Sequence, residues 1–216
     1  MENERMISYV QTDTMIKRDR IFFNNPVVMQ GLGLAPLIVA ASSLNNAMML
    51  STAVLLILTP TRMLAAFLTK FSFFRFRGFT YAISAGIVYL FALYLLREIY
   101  SQADLGLLGL YLPLLCADPI ILKRYERPQR ERINTAFKKG VITSIGYILA
   151  VCLVGTLREL LALGTVLGRP VLSYAIFPIA GDPMGGFIVL SFVIAIWRGF
   201  VHTVKQKLAI EVNHFP

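Results

Sequence analysis

Asp118 is the one acid set well inside an apolar run of this 216-residue chain, in the stretch GLLGLYLPLLCADP at 106–119. An ionisable group in such a place is costly and is by default a candidate for proton or cation relay. A structural reading stands beside it: Asp118-Pro119 as a break or cap in the segment, with Lys123 and Arg124 a turn away to pair with the carboxylate. Arg158 and Glu159 end another apolar run in GTLRELLALGTVLG at 155–168. Adjacent residues do not face each other on a helix, so each needs its own partner across the bundle. Interfacial anchoring and a place on an ion path are both open to them. Cys116 and Cys152 lie inside apolar runs and suggest no disulfide framework. Ser42, Ser43, Asn45, Asn46, Ser51 and Thr52 have the sizes that join membrane helices, and His202 and His214 have no metal-ligand spacing. The chain contains no P-loop, HExxH, dinucleotide fingerprint or CxxC motif. No self-contained catalytic or metal site is therefore assigned.

These residues need a membrane to hold them. The composition is 56% hydrophobic and 15% charged, with a mean hydropathy of +0.66, against roughly 45–50% and 25% in soluble domains. An all-α integral membrane protein follows, and a soluble enzyme is excluded. The net charge of +9 would suggest nucleic acid in a soluble protein. Here the basic residues fall between apolar segments, so loops facing anionic lipid explain them better. With about 20 apolar residues per crossing, six transmembrane helices are predicted near 26–43, 46–68, 79–97, 105–122, 140–160 and 185–204.

The first and fourth of these are interrupted. Gly31, Gly33 and Pro36 crowd one, and GLAPLI at 33–38 has a counterpart in GLYLPLL at 109–115. Glycine costs roughly 1 kcal/mol inside a helix and proline about 3, so such segments start, break and restart. Broken backbone at membrane depth survives only inside protein or beside a polar cavity. Paired interrupted segments in two halves point to the functional centre of an inverted-repeat protein.

Loop charges set the topology. Of the 21 Lys and Arg, only Arg97, Arg158 and Arg169 fall on the side opposite the two termini, which puts both termini in the cytoplasm. Residues 1–23 read as a cytoplasmic tail without a signal-peptide core, 24–207 as the membrane domain and 208–216 as a second tail. The basic loop 123–139 divides the domain into halves 24–104 and 105–207, two inverted three-helix repeats. The aromatic run FSFFRFRGF at 71–79 marks an interfacial belt. The connection 161–186 is rich in Gly and Pro, with an apolar middle at 171–180. That middle is expected on the membrane surface or a partner, or folded over its own helices.

Several motifs in order resemble the Rnf/Nqr membrane subunits of ion-translocating oxidoreductase complexes. NNPVVMQGLGLAPL at 24–37 resembles the family's NNP-x-x-x-Q-x-LGLCPL opening, and Asn46-Ala47 falls on its Asn-Ala pair. GLYLPLLCADPIIL at 109–122 resembles G-x-x-x-PLI-x-TNC. GTLREL with GTVLG at 155–168 resembles GSLREI-x-x-x-GTL-x-G, and DPMGGFI at 182–188 resembles PPGAFI. The resemblance implies a subunit of the prokaryotic plasma membrane that pairs with an inverted homologous subunit, or with a second copy of itself. It implies a 2Fe-2S cluster shared at their centre and held by one cysteine from each interrupted segment. Electrons would cross between flavin-bearing partners, coupled to sodium or proton transport. This chain departs at the ligand positions, where Ala35 and Pro119 stand in place of cysteine. Cys116, three residues before Pro119, is the thiol left to serve as a displaced ligand. The leading expectation is a scaffold and ion-path subunit, with Asp118, Arg158 and Glu159 as ion-path candidates. The alternative is a diverged small transporter without a redox role.

Overall fold

The computed structural model describes residues 19–71, 74–122 and 132–213, with side chains described as far as residue 207. After a series of turns over 20–33 come α1 (Leu34–Val39), α2 (Leu44–Leu68), a 3-10 turn (Phe74–Phe76) and α3 (Arg77–Ile99). The second half holds α4 (Gln102–Leu108), α5 (Tyr111–Leu114), a 3-10 turn (Leu115–Ala117), α6 (Pro119–Leu122) and α7 (Ile133–Leu163). Two short antiparallel strands, β1 (Thr165–Val166) and β2 (Arg169–Pro170), pair before a 3-10 turn (Pro178–Gly181) and α8 (Pro183–Asn213).

Among the described residues, four helices are long and apolar enough to cross a membrane: α2, α3, α7 and α8. A fifth crossing results if α4 and Tyr111–Leu122, bent by 57° at their junction, count as one span. Of the six spans expected from the sequence, four, or five with the bent pair, have such a helix among the described residues. The first expected span, 26–43, is a chain of turns ending in the six-residue α1. Gly31 and Gly33 take φ of +70° and +68°, the left-handed conformation that ends or prevents a helix. Two further boundaries move. Residues 133–139, expected in the dividing loop, form the first turns of α7, and Arg62, grouped by sequence with the loop cations, is fully buried on α2. The expectations for 1–18, 123–131 and 214–216 lie outside the described residues.

The core forms where α2 runs along α7. Glycine permits the close approach: a Cβ at Gly155 would come within 2.6 Å of the Ala47 Cβ, and one at Gly140 within 3.2 Å of the Thr59 Cα. Small residues are how membrane helices gain van der Waals contact where lipid supplies no hydrophobic drive between them. Around this pair, α3 lies against α2 and also against the 3-10 turn and α6 of the second interrupted segment, while α8 lies against α7 and α1. Large apolar side chains such as Ile87, Leu90 and Phe91 on α3 and Phe192, Ile196 and Phe200 on α8 face outward. Such a surface suits lipid or a neighbouring protein.

The connection before α8 is folded over the chain's own helices in part. Its foot folds onto the helices: Ala180 is buried, and the Phe177 amide donates to the Leu161 carbonyl at 2.8 Å. Val171, Tyr174 and Ile176 stay exposed.

Candidate functional site at the junction of the interrupted segments

The first segment starts at Asp19, whose carboxylate accepts the amides of Ile21, Phe22 and Phe23. Asn25 then replaces helical bonding with side-chain bonding. Its Oδ1 accepts from Val27 at 2.9 Å and Val28 at 3.3 Å, and its Nδ2 donates to the Ile21 carbonyl at 2.9 Å and the Gly146 carbonyl on α7 at 2.7 Å. From α8, the Trp197 indole donates to the Phe22 carbonyl at 3.1 Å, and Arg198 donates to Val28 and Met29 at 2.8 and 3.2 Å. Each freed backbone group named here thus has a partner, the condition for broken backbone inside a membrane protein.

Arg158 completes this scaffold. Fully buried near the end of α7, its Nη1 donates to the carbonyls of Ile38 at 2.5 Å and Ala41 at 3.0 Å, with Leu37 at 3.5 Å. Its Nε and Nη2 donate to Ala180, Gly181 and Asp182 at 2.9, 3.1 and 3.2 Å. One guanidinium therefore closes the end of α1 and the 3-10 turn before α8, using donors fixed in a planar fork. Gly186 leaves it room, since a Cβ there would fall 2.9 Å from the Arg158 Cζ. Glu159 turns the other way. Its Oε2 accepts from the Leu44 amide at the start of α2 at 2.8 Å, and its Oε1 accepts from the Thr165 hydroxyl and the Gly168 amide at 3.1 and 2.9 Å. The two neighbours have separate partners, as their spacing requires.

In the second segment Asp118 is a cap. Its Oδ1 accepts from the Ile120 amide at 2.9 Å, and its main-chain carbonyl accepts from Ile121 and Leu122 at 3.0 Å each. Its carboxylate also lies within electrostatic reach of the Gly33 amide of the first interrupted segment. Tyr147 of α7 closes the junction. Its ring lies where a Cβ on Gly33 would sit, and its hydroxyl is within electrostatic reach of the Asp118 carboxylate. Lys123 and Arg124, the partners considered from sequence, lie outside the described residues.

The donor set for an iron–sulfur cluster is missing from this junction. Ala35 and Pro119 face outward without a ligating atom. The Cys116 thiol turns inward, to the Ala85 carbonyl of α3 at 3.7 Å, and the Cys152 sulfur lies 3.7 Å from the Ser51 hydroxyl. Among the described residues no three His, Cys, Asp or Glu come together. Clusters are held by thiolates from several residues, and these residues do not fit one.

Sequence reasoning singled out Asp118, Arg158 and Glu159 but passed over Asn25, Tyr147 and Arg198. Asn25 carries a usable signal, an Asn-Pro pair opening an apolar run. Tyr147 carries none, because its role depends on Gly33, 114 positions earlier.

The chain resembles known proteins over most of its length. The chain is 28% identical to the E-type subunit of the ion-translocating oxidoreductase complex from Pseudomonas paraeruginosa (strain DSM 24068 / PA7), over 93% of this chain and 90% of that one. It is 29% identical to the protein of the same name from Shewanella loihica, over 80% and 81%, and 30% identical to that from Shewanella sp. (strain ANA-3), over 85% and 86%. Residues 14–194 match the Rnf-Nqr subunit family of membrane proteins, and with most of the chain inside that match, it belongs to this family.

Proposed function

We propose that this chain is a membrane subunit of an Rnf/Nqr-type ion-translocating electron transport complex, serving as scaffold and ion path while partner subunits carry the redox chemistry. The observation that supports this reading is the approach of the two interrupted segments, with the Asp118 carboxylate of the second within electrostatic reach of the Gly33 amide of the first. Arg158 and Glu159 have their hydrogen bonds committed to other groups of the chain, so they take the role of positioning the junction, and the ion path narrows to Asp118. With alanine and proline at 35 and 119, this reading assigns the redox centres to the partner subunits.

The reading includes six crossings in two inverted three-helix repeats, with both termini on the cytoplasmic side of a prokaryotic plasma membrane. Reciprocal packing supports the repeat: the outer helix of each half lies against the interrupted segment of the other. Each central helix also carries one fully buried arginine, Arg62 on α2 and Arg158 on α7. The partner is an inverted homologous subunit or a second copy of this chain, with lipid on the remaining faces.

The loss of thiols at both ligand positions favours one second reading, a small transporter that kept the fold without electron transfer. Gentle solubilisation of the tagged full-length protein separates the two. Co-elution with flavin-bearing subunits is expected. A self-paired dimer that moves a solute without them would overturn the complex and support the transporter. Reporter fusions at each terminus test the topology, with both expected to report cytoplasm.

A further inference from the structure

The turn between β1 and β2 consists of Leu167 and Gly168, at φ of +53° and +72°. A two-residue hairpin turn with positive φ at both places is built for Asn-Gly or Asp-Gly, because a bulky side chain is strained in the left-handed region. Leu167 is the only non-glycine residue with positive φ among the described residues, and its side chain is exposed. Water would favour asparagine there, so a strained leucine points to an apolar environment outside the fold. Val171, Tyr174, Ile176 and Ile179 follow along the connection to α8, and they too are exposed. We propose that this connection is an interfacial anchor: Leu167, Val171, Tyr174 and Ile176 seat in the headgroup–acyl boundary of the bilayer that α7 and α8 cross.

The backbone fixes the depth. α7 ends at Leu163, and the crossing part of α8 starts at Pro183. The 25 residues of that crossing rise about 37 Å, against a hydrocarbon core of about 30 Å, so the start of α8 lies at the bilayer edge. Between the two helices the chain stays tied to the end of α7. The Glu159 carboxylate accepts from Thr165 and Gly168, the Gly164 carbonyl accepts the Val171 and Leu172 amides at 2.9 and 2.8 Å, and the Phe177 amide donates to Leu161. Arg158 then holds Ala180, Gly181 and Asp182. Tyr174, between the tied Leu172 and Phe177, therefore stays near the level of the helix ends. Continuity and charge select the occupant. Exposed Met184 and Phe187 carry the apolar surface into the first turns of α8, so one bilayer covers both. Arg169 and Asp182 are the only charged residues from 160 to 197. A tyrosine and an exposed arginine among apolar side chains suit the headgroup level. The proposal requires only that α7 and α8 cross the membrane, and it is independent of the ion-path reading.

Power-saturation electron paramagnetic resonance tests the anchor, on the full-length protein held with its membrane partners in nanodiscs of phosphatidylethanolamine and phosphatidylglycerol. Nitroxide labels are placed at Leu167→Cys, Tyr174→Cys or Ile176→Cys in a Cys116→Ser, Cys152→Ser background. Oxygen concentrates among acyl chains, whereas a nickel chelate stays in water. The expected result is an oxygen-to-nickel accessibility ratio several-fold above that of the same nitroxide free in buffer. A ratio equal to that of the free nitroxide places the connection in water and overturns the anchor. Exclusion of both reagents, with an immobilised spectrum, means that a protein partner covers the surface and equally overturns it. The three positions are all exposed, so a single variant that fails to fold leaves the other two to decide, with size-exclusion profiles identifying the intact ones.

Discussion

The first interrupted segment ties its freed backbone to distant parts of the chain, through Asn25 to Gly146, Trp197 to Phe22, Arg198 to Val28 and Arg158 to Ile38 and Ala41. The second relies more on its own residues: Ser101 caps α4, and Asp118 caps α6. Both break an apolar run, but one is held by tertiary contacts and the other largely by local ones. A break held from outside keeps its shape only while its neighbours stay in place. A break held locally keeps its shape by itself, and its carboxylate remains available at the junction.

Substitutions put this contrast to the test. The largest effect is expected at Arg158→Met, which leaves buried carbonyls on two elements without donors and destabilises by about 3–5 kcal/mol. Thermal unfolding of the purified protein measures it, with Arg158→Lys recovering only part of the loss because an ammonium cannot span both carbonyl groups. Gly33→Ala comes next. Its positive φ costs roughly 1–2 kcal/mol for a side chain, and the new Cβ meets the Tyr147 ring, for a total near ~3 kcal/mol. Gly109→Ala, with φ +47° and only the Gly106 carbonyl nearby at 3.4 Å, is expected to lose less. Equal losses at the two glycines would remove the distinction between an externally packed break and a local one. Asn25→Ala is expected to cost about 2 kcal/mol, from unpaired backbone at the start of the first segment. Hydrogen exchange should then rise over 21–28 and leave 109–122 unchanged. Ser101→Ala should have the smallest effect, about 1 kcal/mol for a lost cap, with faster exchange confined to α4.

Much of this architecture was legible beforehand. Long apolar runs located α2, α3, α7 and α8, though not the full lengths of α7 and α8, because about 20 residues are needed to cross the bilayer whatever the neighbours are. The glycines and prolines at 31–36 and 109–113 located both breaks, since their backbone limits are local. The first span failed as a helix because the same cluster that signalled a break removed nearly all regular structure before Leu34. The connection at 171–180 was legible only as an unusual apolar loop, and its division into an anchored foot and an exposed middle depends on what lies beneath it.

Local sequence is enough to establish a helical membrane protein with two interrupted segments, a lone acid in one of them and no cysteine at positions 35 and 119. Those properties follow from hydropathy, backbone chemistry and residue identity, all carried by single positions or short windows. Three-dimensional packing was needed to set the Tyr147 ring against Gly33 and to let Arg158 close two chain ends at once. Each of those contacts joins residues tens to more than a hundred positions apart or depends on direction within the packed bundle. No short window of sequence carries that information.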